Sequence, residues 1–184
     1  MPRDAGDHVI FVGRFSLEKD VTTLLAAWEK LRGIPLKLVG DGPAEGEVCC
    51  LIQQFQLGYV ELLGRRPRDQ VLALAQKARL LVSPSAAYET FGLVVVEAFA
   101  CGVPVVASRL GAMAEIVEDG RTGLLFTPGD SDDLAEKVRW AIDHPDAMDR
   151  MGKNARGLYE EKYTAETNYH MLLNIYERAR KVPI

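Results

Sequence analysis

The chain has 184 residues, 48% of them hydrophobic and 26% charged, with a formal net charge of -4. That length suits one domain with a full core, and the acidic balance argues against non-specific binding to nucleic acid or to an anionic membrane surface. No apolar run reaches the ~20 residues that a membrane span needs.

Taken in order, apolar strand-like runs alternate with helical patterns. The polar lead MPRDAGDH has no apolar core of the secretory kind. His8–Gly13 then reads as a first strand, and VTTLLAAWEKL (Val21–Leu31) repeats apolar residues at helical spacing. Leu36–Gly40 is a second strand ending in the turn GDGP, and Ala44–Leu57 is a helix with Pro43 near its first position. Tyr59–Gly64 and Leu80–Ser83 are further strands, separated by a helix at Arg68–Lys77. Gly92–Ala100 is helical with Gly102 as its stop signal, Val103–Ala107 is a fifth strand, Met113–Glu118 a short helix and Gly123–Phe126 a sixth strand. Helices follow at Asp132–Asp143, Asp146–Tyr159 and Ala165–Arg180.

Continuous apolar strands joined by helices predict a parallel sheet covered on both faces. We therefore expect an α/β domain: a Rossmann-like, doubly wound, mainly parallel six-stranded sheet with a helical carboxyl-terminal tail. In such a sheet the ligand lies beyond the carboxyl ends of the strands. A core strand so soon after a short polar lead leads us to expect a single domain, residues 1–184, cut from a longer protein.

Polar residues cluster where strands end. The segment GRFSLEKD follows the first strand, with Gly13 permitting close backbone approach and Arg14 and Lys19 supplying positive charge. Two cations at that edge fit a diphosphate, Arg by a bidentate grip and Lys as a point charge. Taken alone, a solvated loop is the simpler account. The fourth strand is followed by AYETFGLVVVEAFA, whose helix start offers unpaired N–H groups and the positive end of a dipole. Without a side chain at Gly92, an anion can come close to Phe91, Gly92 and Leu93. Glu89 stands at the mouth, facing a neutral polyol or merely complementing the dipole. Glu97 lies further along the helix among apolar neighbours; if enclosed it needs donors, either sugar or ribose hydroxyls or an internal arginine, and otherwise it simply sits at the surface.

Other motifs carry less. GDGP and Gly46 imitate a dinucleotide fingerprint, but they follow the second strand and Glu45 takes the third glycine's place, so a strand-to-helix turn is the better account. His8, His144 and His170 are scattered, and Cys49, Cys50 and Cys101 have neither disulfide-framework nor zinc-ligand spacing. Cys101 is expected in the core. We expect no metal and no cofactor, and a reducing, cytoplasmic setting. The last helix is amphipathic, and Tyr169, Leu172, Leu173 and Tyr176 either form an exposed apolar face or pack on the domain's own sheet.

In combination, GRFSLEKD, LVGDGP, SPSAAYETFGLVVVEAFACGVPVVAS and GLLFTPGD resemble the carboxyl-terminal, donor-binding domain of family-4 glycosyltransferases, retaining enzymes of the two-domain B-type fold. The resemblance runs over nearly the whole chain, with Glu89 and Glu97 as the family's Glu-x7-Glu pair. It implies that Arg14 and Lys19 hold the diphosphate of a nucleotide-sugar and that Glu89 contacts hydroxyls of the transferred sugar. It also implies that Phe91, Gly92 and Leu93 offer backbone N–H groups, that Glu97 binds the ribose, and that the stretch at Arg65 and Arg66 lies beside the base. Where the family commonly has glycine after Glu-Lys, this chain has Asp20, a residue suited to capping the next helix. The resemblance further implies transfer of the hexosyl type, with the acceptor site on a missing amino-terminal domain, to which any membrane contact would fall. The isolated chain is expected to transfer little or nothing. Rival expectations are a non-catalytic nucleotide-binding or interaction module and a nicotinamide-dependent oxidoreductase domain.

Overall fold

The computed structural model describes residues 6–180, so most of the polar lead lies outside the described residues. Six strands, β1 (Val9–Val12), β2 (Leu36–Val39), β3 (Val60–Gly64), β4 (Leu80–Ser83), β5 (Val105–Ser108) and β6 (Gly123–Phe126), form one sheet. Their order is β3-β2-β1-β4-β5-β6 and every neighbouring pair is parallel. Parallel neighbours cannot be joined by a tight turn, so the connections cross the sheet faces as helices. These are α1 (Val21–Lys30), α2 (Glu45–Gln54), α3 (Arg68–Gln76), α4 (Leu93–Ala100) and α5 (Ala112–Ile116), followed after β6 by α6 (Ser131–Asp143), α7 (Pro145–Lys162) and α8 (Ala165–Arg180).

The period of two along β1 divides the core. Val9 and Phe11 face Leu24, Leu25 and Trp28 of α1 and Leu134 and Val138 of α6. Ile10, on the other face, belongs with Val95 and Phe99 of α4, Met113 of α5 and Leu158 of α7. Trp28 is fully buried, yet its indole N–H donates to the Ile34 carbonyl at 2.9 Å, so its polar atom is satisfied.

Element boundaries differ from the expected ones for identifiable reasons. The fifth strand begins at Val105 rather than Val103, because Pro104 has no N–H to give to a ladder. The second helix stops at Gln54 rather than Leu57, since Gln56 turns left-handed at φ 54. The seventh helix is longer than expected, its polar last turn continuing to Lys162 in solvent.

The two accounts of the last helix are also separated. No residue of α8 is buried, and Tyr169, Leu172, Leu173 and Tyr176 are 58%, 45%, 40% and 60% exposed. The helix does not pack on the domain's own sheet. No described helix is long and apolar enough to cross a membrane.

Candidate functional site

The strand order determines where a ligand can enter. β1 and β4 are neighbours, but the chain leaves them toward opposite edges of the sheet, so their carboxyl ends part to form a crevice. Residues 13–20 make one wall and residues 84–92 the other. The first wall is pinned by backbone bonds: Gly13 N–H to Val39 O at 3.0 Å, Phe15 N–H to Asp41 O at 2.8 Å and Ala44 N–H to Phe15 O at 3.0 Å. The second is tied to the first by Ala86 N–H to Glu18 O at 2.9 Å. The GDGP segment is thus a strand-to-helix turn that also supports the loop after β1.

Lys19 ends a 3-10 turn, Leu17–Lys19, and Asp20 follows in the left-handed conformation at φ 48, ψ 48. Glycine takes that conformation most readily, and Asp is among the few other residues that tolerate it. Its carboxylate accepts from Thr23 N–H at 3.1 Å, capping α1, so the charge is spent on the helix start.

Across the crevice the Lys19 ammonium donates to Glu89 Oε1. Ser85 Oγ, almost fully buried, donates to the same oxygen at 2.7 Å, while Ser108 Oγ donates to the Ser85 carbonyl at 2.6 Å. Burial by itself would raise the Glu89 carboxyl, but the hydrogen bonds from Lys19 and Ser85 and the Lys19 charge outweigh it and hold the group below its ordinary value. Glu89 is therefore ionised at neutral pH. Because the folded state lowers this pKa, the pair's stabilisation is fully present above the ordinary value of 4.5 and is lost as pH falls through the lowered one. Urea unfolding at a series of pH values should show the difference between wild type and Glu89→Gln shrinking below that point. A difference independent of pH would contradict the assignment.

Gly13, Lys19, Ser83, Ser85, Glu89 and Gly92 line a hollow of about 170 Å³. It adjoins two larger ones, of about 690 Å³ through Leu93 and about 660 Å³ through Val12. Each of the two larger ones is on the scale of ordinary ligand sites. α4 enters the crevice with no side chain capping its first turn, and Phe91 and Leu93 are exposed there.

Gly92 is left-handed at φ 70, and a β-carbon there would run into the Met113 side chain, with Ile116 Cδ1 at 3.4 Å. Its missing side chain thus makes room for α5 against the start of α4. Arg14, on the same loop as Lys19, is exposed, lines none of the three hollows and has no hydrogen bond or ion pair among the described residues. Lys19 pairs with Glu89.

Glu97, one turn further along α4, lines both larger hollows and is 21% exposed at its side chain. Its Oε1 accepts from Arg68 Nε at 3.0 Å, and Nη2 of the same guanidinium lies 2.9 Å from that oxygen as an ion pair. An arginine partner was among the alternatives for Glu97, but Arg68 itself was not singled out, and it is exposed rather than internal. It comes from α3, 29 residues away, and nothing local in the sequence links the two. Arg65 and Arg66 are exposed and line the same hollow as Arg68. Ser85 and Ser108 were also missed; their only sequence signal is that each sits at or just beyond a strand's carboxyl end. Elsewhere, His8 is buried and held below the usual histidine range by burial and then by the Lys37 charge. The His144 ring stacks on Trp140 at 4.3 Å, and Cys101 is only partly buried. Among the described residues no group of three His, Cys, Asp or Glu could hold a metal ion.

The fold and crevice define the class: a Rossmann-like domain of the kind found in glycosyltransferases of the B type. The chain belongs to the group 1 glycosyl transferases, which it matches over residues 3–158. An uncharacterized glycosyltransferase of Methanocaldococcus jannaschii is 34% identical over 91% of this chain and 47% of its own length. The glycogen synthase of Mycobacterium tuberculosis is 32% identical over 98% of this chain and 44% of its own length. Among solved structures, HepE of Anabaena in complex with UDP and glucose is 28% identical, with a TM-score of 0.86 over 94% of this chain and 48% of that one. The chain thus spans about half the length of the curated relatives it matches.

Proposed function

We propose that the chain is the carboxyl-terminal, donor-binding domain of a retaining glycosyltransferase and that the crevice between β1 and β4 holds a nucleoside-diphospho-sugar. The observation that carries this reading is the meeting of Lys19, Glu89 and the uncapped start of α4 at the switch point of the sheet. Lys19 neutralises the diphosphate, joined by Arg14 when that exposed side chain turns inward from the lip. Backbone N–H groups at Phe91, Gly92 and Leu93 complete the anion site. Glu89 accepts from hydroxyls of the transferred sugar, and Glu97 from the ribose. The loop carrying Arg65 and Arg66 borders the base.

For transfer, an acceptor hydroxyl attacks the anomeric carbon from the face that the nucleotide leaves. The bond from that carbon to the phosphate oxygen breaks, and the departing phosphate takes the acceptor's proton. Lys19 and the helix start stabilise the charge that develops on the phosphate, an electrostatic contribution. The acceptor comes from a separate amino-terminal domain, so the isolated chain binds donor weakly and transfers little.

Titrating the chain with UDP, GDP and NAD by calorimetry tests this. A nucleoside diphosphate should bind, and Glu97→Ala should weaken it by about 10-fold, the value of one hydrogen bond to a charged group. Preference for NAD would instead support an oxidoreductase domain, and silence toward all three would leave an interaction module.

A further inference from the structure

We propose that Arg68 is a positioning residue for Glu97, and that through it the site distinguishes ribose from deoxyribose. The inference rests on the nucleotide-sugar reading above. Arg68 is the first residue of α3, next to Pro67, which fixes where the side chain sets out. Its guanidinium usually meets a carboxylate with two nitrogens on two oxygens. Here Nε and Nη2 both reach Oε1 of Glu97, at 3.0 and 2.9 Å. Oε1 is anchored by one edge of the guanidinium, and Oε2 accepts no hydrogen bond among the described residues.

The distribution of exposure gives the pair a direction. Arg68 is 76% exposed at its side chain and Glu97 21%, so the acid is sheltered and the base covers it from outside. Both residues line both larger hollows, about 690 and about 660 Å³, which places the carboxylate on the boundary between them. A glutamate without this anchor turns about three torsions and spreads its two oxygens over several directions. Held at Oε1, it presents a single acceptor, and an acceptor aimed at a sugar hydroxyl penalises a ligand that lacks the hydroxyl. An ion pair whose base is this exposed contributes little to stability, so variants at Arg68 should remain folded.

The test is a ratio, which cancels any uniform effect of removing a positive charge. Affinities of the chain for UDP and GDP are measured by calorimetry against those for their 2′-deoxy and 3′-deoxy counterparts. Wild type should prefer the ribonucleotide over at least one counterpart by about 10-fold, the loss expected for one charge-assisted hydrogen bond. Arg68→Ala should reduce the preference to about twofold or less, since an unanchored carboxylate no longer selects. Arg68→Lys should fail to restore it, because an ammonium keeps the charge but lacks the guanidinium's fixed pair of N–H groups. Full preference in Arg68→Ala, full rescue by Arg68→Lys, or a wild type that binds ribo- and deoxyribonucleotides equally overturns this inference while leaving the nucleotide-sugar reading intact. A wild type that binds no nucleoside diphosphate overturns that reading, and this inference with it.

Discussion

Lys19→Ala is expected to weaken nucleoside diphosphate binding by about 10- to 100-fold, the range of about 1.5–3 kcal/mol for hydrogen bonds to charged groups. Affinity for the uncharged nucleoside should be almost unchanged. Two effects act in one direction. The substitution removes the cation from the hollow, and it leaves the Glu89 carboxylate, 21% exposed and held by Ser85 alone, facing an incoming anion. Glu89→Gln supplies the complementary test. Glu89 is thus placed to compete with a phosphate for Lys19. Neutralising it should therefore tighten binding of the nucleoside diphosphate while weakening that of the nucleotide-sugar, whose hydroxyls lose a charged acceptor. Opposite signs for two ligands in one variant would be hard to obtain from a misfolded protein. If both variants change both ligands alike, the Lys19–Glu89 pair is not the diphosphate and sugar junction.

Gly40→Ala should destabilise the domain by about 2–5 kcal/mol, combining backbone strain with steric overlap, and should remove nucleotide binding. Gly40 sits at φ 144 just after β2, and a β-carbon there would collide with the Gly13 carbonyl oxygen. The obstacle is backbone, so no side-chain rotation relieves it. Either the turn after β2 or the loop after β1 must move, and the second carries Lys19. Yet the bonds from Gly13 to Val39 and from Phe15 to Asp41 hold both in place. Urea unfolding and calorimetry on the same sample check the two halves of the prediction. A variant with wild-type stability and affinity would show that these loops are not locked to one another.

These expectations draw unequally on sequence and on structure. Continuous apolar strands, the helical spacing of VTTLLAAWEKL and the placing of polar residues after strands were all legible in the sequence, because they follow from burial on two faces of a parallel sheet. Lys19, Glu89 and Glu97 stood out locally as charges beside a core strand or within an apolar helix, but each alone had a simpler account and only the family resemblance gave them roles. The strand order itself was not legible. It brings residues 70 apart in the chain, Lys19 and Glu89, into one ion pair. The same holds for Arg68, on a different helix from Glu97, and for Ser85, whose hydroxyl looks like any loop serine until the fold buries it against a carboxylate. Arg14 and Gly92 show the same limit: residue type does not reveal that the fold leaves the first side chain exposed and sets the second residue against Met113. Residue type and spacing determine which elements form and which residues are costly to bury. Which of those residues meet is decided by the crossing of helices over the sheet, a matter of long-range packing that no local pattern contains.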